Sequence, residues 1–214
     1  MRILDLKYRA RRNGSEVTVI FDDESVLALD AELAVRFRLE RGMIISPEKR
    51  TIIEHENDML RARQRLIRYL AMRKKSSREA ATYLKKAGFN SEAINAAIEA
   101  ATQLGYLHDS EFAEAFIRTR IKAGKKGARL IAQELLAKGI NREEAQRLTE
   151  TMIETKDQVS SARQLAAKKF QTLKDEEDLY KASRKLQQFL ARKGFSAEIC
   201  EQISREFFGD PTIF

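Results

Sequence analysis

Leu84-Lys85-Lys86-Ala87-Gly88-Phe89-Asn90, Leu135-Leu136-Ala137-Lys138-Gly139-Ile140-Asn141 and Leu190-Ala191-Arg192-Lys193-Gly194-Phe195-Ser196 are three copies of one phrase. A leucine stands four residues before a glycine, and the glycine is followed at once by a large apolar residue and then by Asn or Ser. Glycine ends a helix in the left-handed conformation without a Cβ clash, and Asn or Ser caps the helix that follows. Each phrase therefore predicts a helix-glycine-helix corner.

The register continues beyond the corner. Six, nine and thirteen residues after each glycine stand Ile94, Ala97 and Ala101, then Ala145, Leu148 and Met152, then Cys200, Ile203 and Phe207. This spacing holds one helical face toward a core in all three copies. The glycines are 51 and 55 residues apart, the length of a three-helix unit, so the pattern is an internal repeat.

Working outward from the corners, the first repeat starts near Asn57 or Asp58 with a long helix to about Arg73. Ser76-Ser77-Arg78-Glu79 then has capping-box spacing, Asn90 caps the third helix, and Gly105 ends it. The second repeat opens at Asp109, breaks at Gly124, resumes after Gly127 and is capped again at Asn141. The third is looser: Val159 to Phe170 is helical, Lys174 to Asp178 is a charged interruption, and Leu186, Phe189 and Leu190 lead into Gly194.

Ahead of the repeats, alternating Leu4, Leu6 and Tyr8, then Val17, Val19 and Phe21, predict half-buried strands, with Val26 to Leu29 pairing back. The intervening Arg9-Ala10-Arg11-Arg12-Asn13-Gly14 loop is either a solvated tip or a phosphate or partner contact. From the cap Asp30, a helix is predicted over residues 31–41, stopped by Gly42, and Ser46-Pro47-Glu48 starts another. The fold class is mainly α: tandem three-helix, helix-turn-helix-like repeats in an elongated arc behind a small β-hairpin and α cap. The division expected is 1–56, 57–108, 109–154 and 155–214.

Composition excludes several classes. No apolar run approaches the roughly 20 residues that cross a bilayer, and the amino terminus lacks the apolar block of a secretory signal. A cytoplasmic protein is expected. The single cysteine, Cys200, falls on an inward helical face and reads as a buried, inert thiol. His55 and His108 each lack a second ligand at metal spacing, so neither a metal nor a cofactor is expected. Gly124-Lys125-Lys126-Gly127 is too short for a phosphate loop and follows no strand. No nucleophile motif places a Ser/His/Asp set, and Glu143-Glu144 and Glu176-Glu177 sit in polar contexts. The chain reads as a non-enzyme.

The formal charge of +8 is concentrated: residues 59 to 140 hold 17 Lys plus Arg against 7 Asp plus Glu. Such a field favours a polyanion or an acidic protein groove. Arg73, Lys74, Lys75 and Arg78 lie at the first corner of repeat 1. Lys122, Lys125, Lys126 and Arg129 lie at the equivalent corner of repeat 2, approached by Arg118 and Arg120. Stacked repeats would align these ten residues into a stripe, against the alternative that they are simply solvated. The third helices carry no arginine or lysine (Ser91 to Leu104) or are acidic on balance, which argues against reading bases in the major groove. Phe89, Phe112 and Phe116 have the spacing of core residues, not of base-stacking platforms.

Gly105-Tyr106-Leu107-His108-Asp109-Ser110-Glu111-Phe112-Ala113, followed by Phe116 and Arg118, resembles the signature that joins the first two repeats of the RecX family, bacterial regulators of the recombinase RecA. Leu66-Ile67-Arg68-Tyr69-Leu70, the Leu84 to Phe89 corner, Gly127-Ala128-Arg129-Leu130-Ile131 and the Glu134 to Ile140 stretch match as well. The resemblance departs at His108, where an acidic residue is usual, and at the Asp22-Asp23-Glu24 turn, which lacks a common glycine. What it implies is a monomer that binds RecA and its filament on single-stranded DNA, lying in the filament's groove, and suppresses ATP hydrolysis, strand exchange and repressor cleavage. Weak direct DNA binding accompanies this, and no membrane is involved. The alternatives are a general DNA-binding helical repeat protein and a protein-interaction adaptor that does not touch DNA.

Overall fold

Val17, Val19 and Phe21 all point to one side of a strand and are essentially inaccessible, and the amino-terminal layer is built on that face. In the computed structural model, which describes residues 1–11 and 14–209, three antiparallel strands, β1 (Ile3–Arg11), β2 (Gly14–Phe21) and β3 (Val26–Asp30), pair in sequence order. Arg12 and Asn13 of the expected basic loop lie outside the described residues. Two compact units follow from the contacts, Met1–Leu107 and His108–Phe214.

In the first unit the register between β1 and β2 shifts between Ile3 and Asp5, so Leu4 is an extra residue on β1. A one-residue bulge changes the face of everything on one side of it. Ile3 is therefore fully buried while Leu4 is 46% exposed. This corrects the simple alternation predicted for Leu4, Leu6 and Tyr8: only Leu6 packs against the core, and Tyr8 is exposed near the strand's end.

Asp30 caps α1 (Ala31–Arg36) as expected, its carboxylate accepting the Glu32 N–H at 3.0 Å. The helix is shorter than predicted. Arg38 takes the left-handed conformation (φ 50°), and the Arg38 and Leu39 N–H groups donate to the Val35 and Ala34 carbonyls. This is a glycine-type helix stop built without glycine, and so invisible to a search for one. Gly42 belongs to a later turn that donates to the Ile3 carbonyl and lays residues 42–45 beside the start of β1.

Ser46 caps α2 (Pro47–Leu70), its hydroxyl accepting the Lys49 N–H. The two helical stretches expected on either side of residue 56 are this one helix. Its first half covers the sheet through Ile53, and its second half supplies Ala62 and Leu66 to the core of the first repeat. α3 (Ser77–Lys86) and α4 (Ser91–Gln103) complete that repeat.

The second unit holds α5 (Asp109–Ala123), α6 (Ala128–Ala137) and α7 (Arg142–Met152), then α8 (Thr155–Phe170), α9 (Leu179–Arg192) and α10 (Ala197–Phe208). The three corner phrases fold alike. Gly88, Gly139 and Gly194 have φ of 91°, 93° and 89°. The N–H groups of Phe89, Ile140 and Phe195 donate back to Leu84, Leu135 and Leu190 at 3.3, 3.1 and 3.3 Å. Those leucines are fully buried, each contributing about 1.5–3 kcal/mol to its own repeat's core. Asn90, Asn141 and Ser196 cap the third helices. One cap differs from expectation: α5 is entered from His108 with no side-chain cap, and Asp109 is its first helical residue.

Candidate functional site

The ten cations singled out in the sequence fall into groups with different surroundings. In the first unit, Arg73 and Lys74 are exposed on the turn between α2 and α3, and Arg78 is exposed on the first turn of α3. Arg73 lies 3.7 Å from Glu79. Lys75 departs from the expected surface stripe: it is only 8% exposed, with its ammonium 4.2 Å from the centroid of the Tyr69 ring.

Tyr69, from α2, stacks on Tyr83, from α3, with centroids 3.9 Å apart and planes within 5°. The Arg65 guanidinium lies over Tyr83 at 5.3 Å. Each of the two stacked rings thus carries a cation of its own, Lys75 over Tyr69 and Arg65 over Tyr83. The result is a cation–aromatic column built on the Tyr69-Tyr83 stack, with Lys75 and Arg65 as its cations, that ties the turn to both helices. Cations over aromatic faces are attracted by the ring quadrupole, and more strongly where water is excluded, as at Lys75.

Arg65 also belongs to a stripe that the corner-based reading missed. Arg61, Arg65 and Arg68 are exposed on one face of α2, at i, i+4 and i+7. None of the three has a carboxylate in ion-pair contact among the described residues. The signal is present in the sequence as periodic spacing, Arg61, Arg65 and Arg68 at i, i+4 and i+7, without a contiguous run of cations.

In the second unit, Glu134 of α6 collects two of the predicted cations. Arg120 donates from Nε to one carboxylate oxygen at 2.8 Å and Lys126 hydrogen-bonds the other. Burial pushes the Glu134 carboxyl up, but the bonds from Lys126 and Arg120 and their charges outweigh it and hold it below its ordinary range. Arg120 further covers the Phe116 ring at 4.5 Å. Arg118 pairs with Glu114 one turn earlier on the same helix. What remains open is Lys122, Lys125 and Arg129, all exposed and without a carboxylate partner among the described residues. Gly124, left-handed at φ 59°, sets the corner that carries them.

Other candidates for chemistry resolve as structure. Cys200 is buried, and desolvation pushes its thiol up, which disfavours the reactive thiolate. Phe112 packs in the core of the second repeat. Among the described residues no group of three metal-ligating side chains occurs, and no helix is long and apolar enough to cross a membrane.

Three consecutive three-helix modules, preceded by a small antiparallel sheet, define a helical-repeat protein. Models of the RecX first, second and third three-helix domains match residues 62–99, 109–148 and 156–203, together more than half the chain. The regulatory protein RecX of Clostridium perfringens strain 13 is 31% identical over 196 residues, 91% of both chains. That of Bacillus licheniformis is 30% identical over 203 residues, 94% of this chain and 76% of its own. The chain belongs to the RecX family. Its fold is that of a regulatory protein RecX solved by crystallography, with a TM-score of 0.74 at 22% identity over 94% of this chain and 98% of the other. RecX from Lactobacillus salivarius gives 0.63 at 24% identity over 71% and 97%.

Proposed function

We propose that this chain is a non-enzymatic, cytoplasmic regulator that binds RecA and its filament on single-stranded DNA and suppresses ATP hydrolysis, strand exchange and repressor cleavage. Family membership supports the regulatory role. The observation that carries the polyanionic side of the reading is the second-repeat corner, where Lys122, Lys125 and Arg129 stand exposed with no carboxylate partner among the described residues. Unpaired surface cations keep their counterion-releasing capacity, which is the main source of affinity for a nucleic-acid backbone.

Within this reading the division at residues 56, 108 and 154 marks a cap and three repeats. Arg73, Lys74, Arg78, Lys122, Lys125 and Arg129 supply the long-range attraction. Arg120 and Lys126 act through the shape of the second-repeat corner, and Lys75 through its contact with Tyr69 at the first-repeat turn. The test is a titration of the chain against RecA alone, single-stranded DNA alone and the assembled filament, with ATP hydrolysis read in parallel. Tightest binding to the filament together with slowed hydrolysis is the expected result. Equal binding to bare DNA, with unchanged hydrolysis, overturns it in favour of a general DNA binder. Equal binding to free RecA with no salt dependence overturns it in favour of an adaptor.

A further inference from the structure

We propose that the Lys75-Tyr69-Tyr83-Arg65 column is a stacking platform for a base of single-stranded nucleic acid, with Arg65 as the receiving surface and Arg61 and Arg68 holding the flanking phosphates. This deepens the filament reading above and rests on it for the source of the strand.

The geometry points to this in three steps. First, the column is pre-assembled: two parallel tyrosine rings 3.9 Å apart are fixed between helices α2 and α3, with a buried lysine over the Tyr69 ring. A platform that is already ordered loses little entropy when another layer joins it. Second, the guanidinium of Arg65, over the Tyr83 ring, is exposed. Its planar, weakly hydrated face is one on which unpaired bases stack. Third, the neighbours on the same helix face are Arg61 and Arg68, about 6 Å and 4.5 Å along the axis from Arg65 at 1.5 Å per residue, and both lack carboxylate partners. Phosphates on either side of a stacked base meet donors there. An acidic protein groove would engage the same charges but leave the planar layer unused, so the stack is what selects a nucleic acid. A duplex keeps its bases inside and offers no face to Arg65, so the strand is single.

The test measures binding of the full chain to fluorescein-labelled oligo(dT) of about 20 nucleotides, longer than a single groove site, and to an abasic strand of equal length and charge. The wild type is expected to bind oligo(dT) about tenfold more tightly than the abasic strand. Arg65→Lys keeps the charge but removes the plane, and should reduce oligo(dT) affinity to the abasic level while leaving abasic binding unchanged. Arg61→Ala with Arg68→Ala should weaken both strands alike. Arg65 is exposed, so folding is checked simply by the helical circular dichroism signal. Because the chain has no tryptophan and five tyrosines, intrinsic tyrosine emission gives a second readout: quenching by oligo(dT) and not by the abasic strand is expected. Equal affinity for the two strands, or wild-type oligo(dT) affinity in Arg65→Lys, overturns the stacking assignment. The regulatory reading is decided separately by RecA ATP hydrolysis. A wild type that binds oligo(dT) by stacking but does not slow RecA refutes that reading alone, and an Arg65→Lys variant that still inhibits and still binds oligo(dT) refutes only the stack.

Discussion

Gly127 and Gly194, 67 positions apart, touch backbone to backbone. The Gly127 N–H donates to the Lys193 carbonyl at 2.8 Å and the Arg129 N–H to the Gly194 carbonyl at 3.2 Å, so the start of α6 is sewn to the corner that ends α9. A Cβ on Gly127 would lie 2.4 Å from the Gly194 carbonyl carbon and oxygen, and one on Gly194 would lie 2.4 Å from the Leu130 nitrogen. The second and third repeats are therefore joined where neither segment has a side chain. Only Gly194 also needs glycine for its backbone angle, since Gly127 has an ordinary φ of −81°.

The three corner glycines are thus not equivalent under substitution. Gly88 and Gly194 share the same left-handed φ, but nothing lies within 4 Å of a Cβ on Gly88. Gly88→Ala should lower stability by about 1 kcal/mol, the conformational term alone. Gly194→Ala adds overpacking against backbone, for a further loss of about 1–3 kcal/mol. Chemical denaturation of the two variants measures the difference; equal losses would show that the repeats do not dock through this contact.

Asn57 provides a second structural test. Its side chain, 4% exposed on α2, donates to the Ala28 carbonyl at 3.2 Å and accepts the Asp30 N–H at 3.0 Å, pairing with the edge of β3 as a further strand would. Edge strands left open are sites of intermolecular pairing. Asn57→Leu should destabilise the first unit by about 2–3 kcal/mol by orphaning both backbone groups, and should accelerate hydrogen exchange at the Asp30 amide. A variant that keeps slow exchange there would show that the edge is protected by something else.

What the sequence revealed and what it hid follow from the range of the interactions. The corners were legible because a left-handed glycine, a cap and a buried leucine all fall within seven residues. The end of α1 was hidden because Arg38 does glycine's work, and the bulge at Leu4 because register belongs to two strands together. The fate of the cations was hidden for a similar reason. Lys126 and Arg120 meet Glu134 from 8 and 14 residues away, and the burial of Lys75 depends on two rings from different helices. Charge runs in sequence locate a basic region; only the folded chain separates the cations already paired from those still available.

The Glu134 pair carries a pH dependence whose sign can be worked out. Its carboxyl titrates lower in the folded chain than the ordinary value of 4.5 because of Lys126 and Arg120, which outweigh burial. A group depressed on folding adds stability above its unfolded value and loses it as pH falls through the folded one. The difference in melting temperature between the wild type and Glu134→Gln should therefore be full near neutrality, about 2–4 °C for a contribution of about 1 kcal/mol, and shrink as pH is taken below 4.5. A difference that stays constant to low pH would show that the carboxylate's charge is not what holds the corner.

The same pairing divides the second-repeat cations by consequence. Arg120→Ala and Lys126→Ala each leave Glu134 with one partner, and Arg120→Ala also uncovers Phe116. Both should lower the melting temperature by about 2–4 °C, a loss near 1 kcal/mol. Lys125→Glu with Arg129→Glu breaks no ion pair among the described residues, since neither cation has a carboxylate partner there. Its melting temperature should match the wild type within about 1 °C, while the proposed inhibition of RecA-filament ATP hydrolysis should weaken about tenfold or more at low salt, with a shallower dependence on salt. The two readouts must separate: a charge reversal that leaves inhibition intact places the polyanion contact elsewhere on the chain. A matching fall in inhibition for Lys126→Ala, with its melting temperature unchanged, would show instead that Lys126 exchanges Glu134 for the partner.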